Sequence, residues 1–179
     1  GVFVPPHLRV HYVEQLPAII DDTLLRNLRY GRNADVNTPS LSEEEIWRVA
    51  ALVGLSRGRL GRGDVRCGKN GDAIPFADRV AVAIARALIA DPDVLILNRP
   101  ASSFSEPARL RVEDLLVRFV EHGGVHGMLR HSAELQHIDP HQRDADMSRR
   151  DGPAWAHKCT KAGHGSRTRT VLVHTKGSG

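Results

Sequence analysis

Glycines at positions 58, 61, 63, 68 and 71 sit in an arginine-rich stretch, residues 56–72, of the composition that could cradle a phosphate. Phosphate-binding loops need the spacing GxxxxGK[ST], so that successive backbone amides and one lysine surround the phosphates. That spacing is absent here, and no lysine in the stretch is followed by Ser or Thr, so a connecting loop is the expected structure. The thiols give no more. Cys67 and Cys159 are far apart and neither belongs to a CxxC pair, which excludes a disulfide framework or a zinc knuckle. His157, Cys159 and His164 match no common zinc spacing and supply a single thiol, so no metal site is expected. Gln15 remains, an amide that can donate and accept at once, placed where an apolar run gives way to a proline.

The elements that must position these residues follow from periodicity. Leu8, Val10, Tyr12 and Val13 read as a strand, ended by Gln15-Leu16-Pro17 because proline removes a ladder donor. Asp22-Thr23 opens a short helix through Leu24, Leu25 and Leu28 that stops before Gly31, and residues 32–41 form a polar loop with Asn33, Asn37 and Pro39. Ser42 and Glu45 make a capping box, followed by Ile46, Val49, Ala50 and Val53 at helical spacing and Gly54 as the C-cap. Residues 77–90 carry the apolar content of a buried helix, broken by Asp91-Pro92-Asp93. Val94-Leu95-Ile96-Leu97 suits a buried parallel strand. Ser105 caps a further helix with Pro107 in its first turn, carrying Leu110, Leu115, Leu116, Phe119 and Val120 and stopped by Gly123-Gly124. Residues 125–129 read as a weak strand, and no internal repeat is present. Alternation of helix and strand implies an α/β fold with a parallel sheet.

Several blocks resemble one known family in collinear order. The stretch Val13-Glu14-Gln15-Leu16-Pro17, the apolar pair Ile19-Ile20, then Asp22-Thr23, Asn27 and Tyr30-Gly31 resembles the Q-loop region of ABC transporter ATP-binding domains, exporters especially. Residues 42–55 resemble the next helix of that family's helical subdomain. Residues 84–97, from Ile84-Ala85-Arg86-Ala87-Leu88 through Asp91-Pro92-Asp93 to Leu97, are similar to its signature helix, turn and Walker B strand. The resemblance covers about residues 8–135. It implies an incomplete P-loop NTPase-like (ABC ATPase) α/β fold with a helical subdomain at about 15–75 and the Walker A part missing. No P-loop precedes the Q-loop-like segment in these 179 residues. The expected organisation is a partial ATPase-like domain over 1–138 and a basic, disordered tail over 139–179.

The same resemblance implies roles for single residues, and most of the chemistry is replaced. Gln15 matches the Q-loop glutamine, which in the family meets magnesium or the attacking water and senses the membrane partner. The signature LSGGQ, whose amides bind a γ-phosphate at a helix N-terminus, aligns with Ile74-Pro75-Phe76-Ala77-Asp78. Pro75 has no amide proton, Phe76 blocks close approach and Asp78 adds negative charge near a phosphate. The Walker B Asp and Glu align with Asn98 and Arg99. An amide is a poor magnesium ligand beside a carboxylate, and a guanidinium cannot act as a base at neutral pH. The D-loop aligns with Ser102-Ser103-Phe104-Ser105 and has lost its aspartate, and His131 is the candidate switch histidine.

The resemblance thus implies a degenerate pseudoenzyme from ATP-driven transport, with ATP and Mg bound weakly or not at all. It also implies a second ATP-binding domain and transmembrane domains as partners, and a cytoplasmic location peripheral to a membrane through a partner. Charge supplies the alternative. Residues 1–148 hold 18 Lys/Arg against 20 Asp/Glu, whereas residues 149–179 hold 7 against 1, so the pI near 9.5 describes the tail. Such a tail suits an acidic partner, nucleic acid or anionic lipid, in a repurposed structural or assembly protein; its composition favours a solvated end. The opening residues lack the features of a signal peptide, and no apolar stretch has the length of a membrane span.

Overall fold

The computed structural model describes residues 5–32, 40–55, 58, 65–99, 104–136, 159–161 and 169–174. Its sheet has the order β1-β2-β4-β3: Val10–Val13 (β1), Val94–Asn98 (β2), Cys159–Lys161 (β3) and Arg169–His174 (β4). β1, β2 and β4 run parallel, with Val10 opposite Val94 and Val94 opposite Thr170, and β3 is antiparallel to β4. The expected parallel α/β arrangement is therefore present, with an antiparallel strand beside it.

Five helices accompany the sheet among the described residues. α1 (Leu24–Arg29) is capped by the Thr23 hydroxyl, which accepts from the Arg26 amide at 3.3 Å. α2 (Glu43–Val53) carries the full capping box: the Ser42 hydroxyl accepts from the Glu45 amide at 3.2 Å, and the Glu45 carboxylate accepts from the Ser42 amide at 2.8 Å. Its C-cap, Gly54, takes φ +109°, a conformation that favours glycine. α3 (Phe76–Ala90) is buried along most of its length, from Val80 to Ile89. α4 (Glu106–Glu121) begins at Ser105, although the Ser105 side chain makes no capping bond. α5 (Val125–Gln136) lies where a weak strand was expected.

Two departures share one cause. The turn at 91–93 between α3 and β2 grips distant segments. Asp91 closes α3 in the left-handed region, φ +52°. Its Oδ1 accepts from the Val125 amide at 2.9 Å, satisfying a free donor at the start of α5. Its Oδ2 accepts from Arg169 Nη2 at 2.6 Å, in an ion pair whose side chains are only 7% and 6% exposed. Arg169 also donates to the Gly123 carbonyl. Asp93 holds the other flank: its Oδ2 accepts from the Arg9 amide at 2.9 Å, and its carbonyl accepts from the Thr170 amide at 3.0 Å. The expectation of a disordered tail over 139–179 thus fails at 159–161 and 169–174. Arg169-Thr170-Val171-Leu172-Val173 is a β-branched, apolar run that pairs along β2, and Val171 is buried. The rest of that tail, and residues 56–57, 59–64 and 100–103 of the expected loops, lie outside the described residues.

The core lies between one face of the sheet and the helices. Val13, Leu95, Leu97 and Val171 point inward, and α3 packs on β1 while α4 packs on β3 and β4. Alternation sends Val10, Tyr12, Ile96 and Leu172 to the opposite face, where Tyr12, Ile96 and Leu172 stand side by side in register. There Val10, Tyr12 and Leu172 remain 41%, 51% and 41% exposed.

Candidate functional site

Parallel strands bring their C-terminal ends to one edge, and in open α/β sheets that edge is where ligands bind. β1 ends at Val13, opposite Leu97, and Glu14 and Gln15 follow directly. β2 ends at Asn98, and Arg99 follows with φ +51°, an uncommon conformation for a side chain of that size. β4 ends at His174, which pairs in register with Asn98. The fold therefore carries Gln15, Asn98, Arg99 and His174 to the same edge. His174 escaped the sequence reading because the tail was read by its charge. The signal available was the alternating run 169–174, ending in histidine just as the Val94–Asn98 run ends in a polar residue.

His131, the expected switch histidine, is not at this edge. It lies within α5, which packs on α4 and α2, and its ring stacks on His122 with centroids 4.0 Å apart. Of the D-loop positions, Ser102 and Ser103 lie outside the described residues, Phe104 packs partly buried against the core, and Ser105 stands at the N-cap position of α4 without a side-chain bond.

The signature-like residues stand at the start of α3, which runs back across the sheet to the turn at 91–93. Pro75 is the N-cap residue and supplies no side-chain bond to the free amides. Phe76 is 40% exposed. Ala77 is half-buried. Asp78 is buried, and its Oδ2 finds no hydrogen-bond partner among the described residues. Arg79 braces the preceding turn by donating from Nε to the Ile74 carbonyl at 3.1 Å.

Behind Gln15 the loop is tied to α3 by a polar network. Asn27 of α1 is fully buried; its Oδ1 accepts from the Ile20 amide at 2.9 Å, and its Nδ2 donates to the Ile20 carbonyl at 3.0 Å. Arg86 of α3 donates from Nε to the Asn27 carbonyl at 2.9 Å, from Nη2 to Asn27 Oδ1 at 2.8 Å and from Nη1 to the Ala18 carbonyl at 3.0 Å. Burial draws the Arg86 guanidinium below its ordinary pKa. Burial, with the Arg86 charge second, likewise lowers the His11 imidazole. Cys67 is buried in the loop that pairs with residues 22–24, and burial raises its thiol. Among the described residues no group of three or more His, Cys, Asp or Glu is placed to hold a metal ion, and no helix is long and apolar enough to cross a membrane.

Sequence comparison finds ABC transporter proteins among the homologues of this chain. The chain is 29% identical to ABC transporter I family member 17 of Arabidopsis thaliana over 65% of its length and 41% of that relative. It is 28% identical to ATP-dependent lipid A-core flippase 2 of Colwellia psychrerythraea over 72% of the chain and 22% of the flippase. It is 29% identical to Protein STAR1 of Oryza sativa over 73% of the chain and 36% of that protein. The chain thus spans less than half the length of these relatives. No family model matches it. Among solved structures, a bacterial Atm1-family ABC exporter with ATP bound shares the fold at a TM-score of 0.52 and 23% identity, over 59% of this chain and 18% of the exporter.

Proposed function

We propose that this chain is a degenerate, non-hydrolysing segment of an ABC transporter ATP-binding domain, with the incomplete P-loop NTPase-like fold and helical subdomain that the resemblance implies. The observation that carries this reading is the pair Asn98-Arg99 at the C-terminal end of β2, beside His174 and just across from Gln15. A hydrolytic edge needs a carboxylate for magnesium and a base for water. Here it offers an amide and a permanent cation. The donors do not fit Mg-ATP, so no catalytic step is derived through it. The start of α3 supports the same conclusion, because Pro75 removes a donor and Phe76 and Asp78 oppose a phosphate at that helix end.

On this reading the chain acts in, or derives from, ATP-driven transport. It assembles with a second ATP-binding domain and with transmembrane domains, and lies at a membrane's cytoplasmic face through them. The apolar face of the sheet supports an assembled state, since parallel sheets are ordinarily covered on both faces. The alternative, an acidic partner held by the basic tail, loses one of its cations to the interior: Arg169 is spent on Asp91.

Calorimetry of the purified chain with Mg-ATP at millimolar concentration tests the proposal. No detectable heat is the expected result. Saturable binding that weakens in Gln15→Ala would overturn it, because a nucleotide site would then persist at this edge.

A further inference from the structure

A cavity of about 250 Å³ opens between α3 and the C-terminal end of β1 with the segment that follows it, and His11, Glu14, Ala18 and Arg86 form part of its wall. The wall contains an electrostatic anomaly. Arg86 is 8% exposed, yet all three of its hydrogen-bond acceptors are neutral oxygens: the Asn27 carbonyl, Asn27 Oδ1 and the Ala18 carbonyl. No carboxylate pairs with it among the described residues. Arg169, the other arginine buried among the described residues, has Asp91 at 2.6 Å. Buried charges in folded proteins are ordinarily paired, because a guanidinium taken out of water without a counterion loses solvation that nothing replaces. Among the described residues three of the five guanidinium N–H groups are used, one on each nitrogen, which leaves one further donor on each Nη. The Tyr30 ring, 5.6 Å from the guanidinium carbon, offers only its face.

We propose that this cavity is a binding site for a small oxyanion, of the phosphate or carboxylate class, which supplies the counterion that no described residue offers Arg86. The neutral His11 imidazole adds a hydrogen-bond donor to the wall. Glu14 is exposed at the same wall and opposes an anion, so it tunes affinity downward. The cavity adjoins the candidate edge, since Glu14, Pro17 and Ala18 on either side of Gln15 line it with β1, Ala83 and Arg86, but the proposal rests on the surroundings of Arg86, held by Asn27 of α1 and the Ala18 carbonyl, and not on the Asn98-Arg99 reading.

The test follows the His11 ring protons by NMR while inorganic phosphate is titrated into the full chain at constant ionic strength, pH 7.5. Saturable shifts are expected. Glu14→Gln, at an exposed position that leaves the core intact, should bind phosphate about two- to fivefold more tightly, the size of an exposed charge interaction. Arg86→Lys should weaken it by about tenfold or more, since the charge stays and the fork is lost. Acetate competing with phosphate would extend the site to carboxylates, and acetate failing to compete would confine it to phosphates; either result requires the site. The proposal is overturned if the His11 shifts do not saturate by tens of millimolar phosphate, or if Glu14→Gln leaves the affinity unchanged.

Discussion

Asp91 closes one helix, caps the next and neutralises a strand from a third part of the chain. Removing its cation leaves a buried carboxylate with one amide for company. Arg169→Leu should therefore cost about 3–5 kcal/mol, the usual result of breaking one side of a buried pair, measured by urea unfolding at neutral pH. His11 makes a pH-dependent claim. Its folded pKa lies below its ordinary value of 6.5, so the unfolded chain takes up the proton first. The stability it contributes is complete above about pH 6.5 and declines as pH falls through the folded pKa. Unfolding midpoints measured between pH 7.5 and 5 should fall less steeply for His11→Gln than for the unsubstituted chain, and an unaltered slope would contradict the assignment.

Among the elements, those with local signals were legible. The capping box at Ser42, the glycine stop at 54, the buried run of α3 and the strand after Asp91-Pro92-Asp93 each follow from residues a few positions apart. α5 and β4 did not follow, because what fixes them is distant. The amide of Val125 is capped by a carboxylate 34 positions earlier, and β4 is anchored by that same carboxylate. A local reading sees two glycines followed by valine, and a short alternating run set in a stretch read by its net charge. For the candidate site, the resemblance named Gln15, Asn98 and Arg99, which the fold carries to one strand edge, and His131, which the fold places in α5; His174, at the end of β4, was not named. The glycine pair does more than stop α4. Gly124 sits at φ +108°, and a Cβ there would run into Asp91 Oδ1 and the Arg169 guanidinium. Gly124→Ala should thus destabilise the fold by about 1–3 kcal/mol or more through overpacking, visible as a lowered thermal midpoint. Combined with Arg169→Leu it should cost less than the sum of the two, because both changes strike one contact.

At the scale of the molecule, the question is whether the basic end belongs to the fold. The sheet order puts β4 between β2 and β3, so the strand cannot leave without stripping both neighbours of their ladders. Its Val171 is buried on the helix-covered face, and Arg169 is held at the turn from which β2 departs. Unpaired strand edges and newly bared apolar residues favour association between chains. Deleting residues 159–179 should therefore abolish a cooperative thermal transition followed by circular dichroism and shift the protein to aggregates on size exclusion. A chain cut after Thr175 keeps β4 and loses Lys176 with the last glycines, and it should unfold as the full chain does. If the longer deletion melted with an unchanged midpoint, β4 would contribute nothing to stability, and the Asn98–His174 pairing at the candidate site would lose its support.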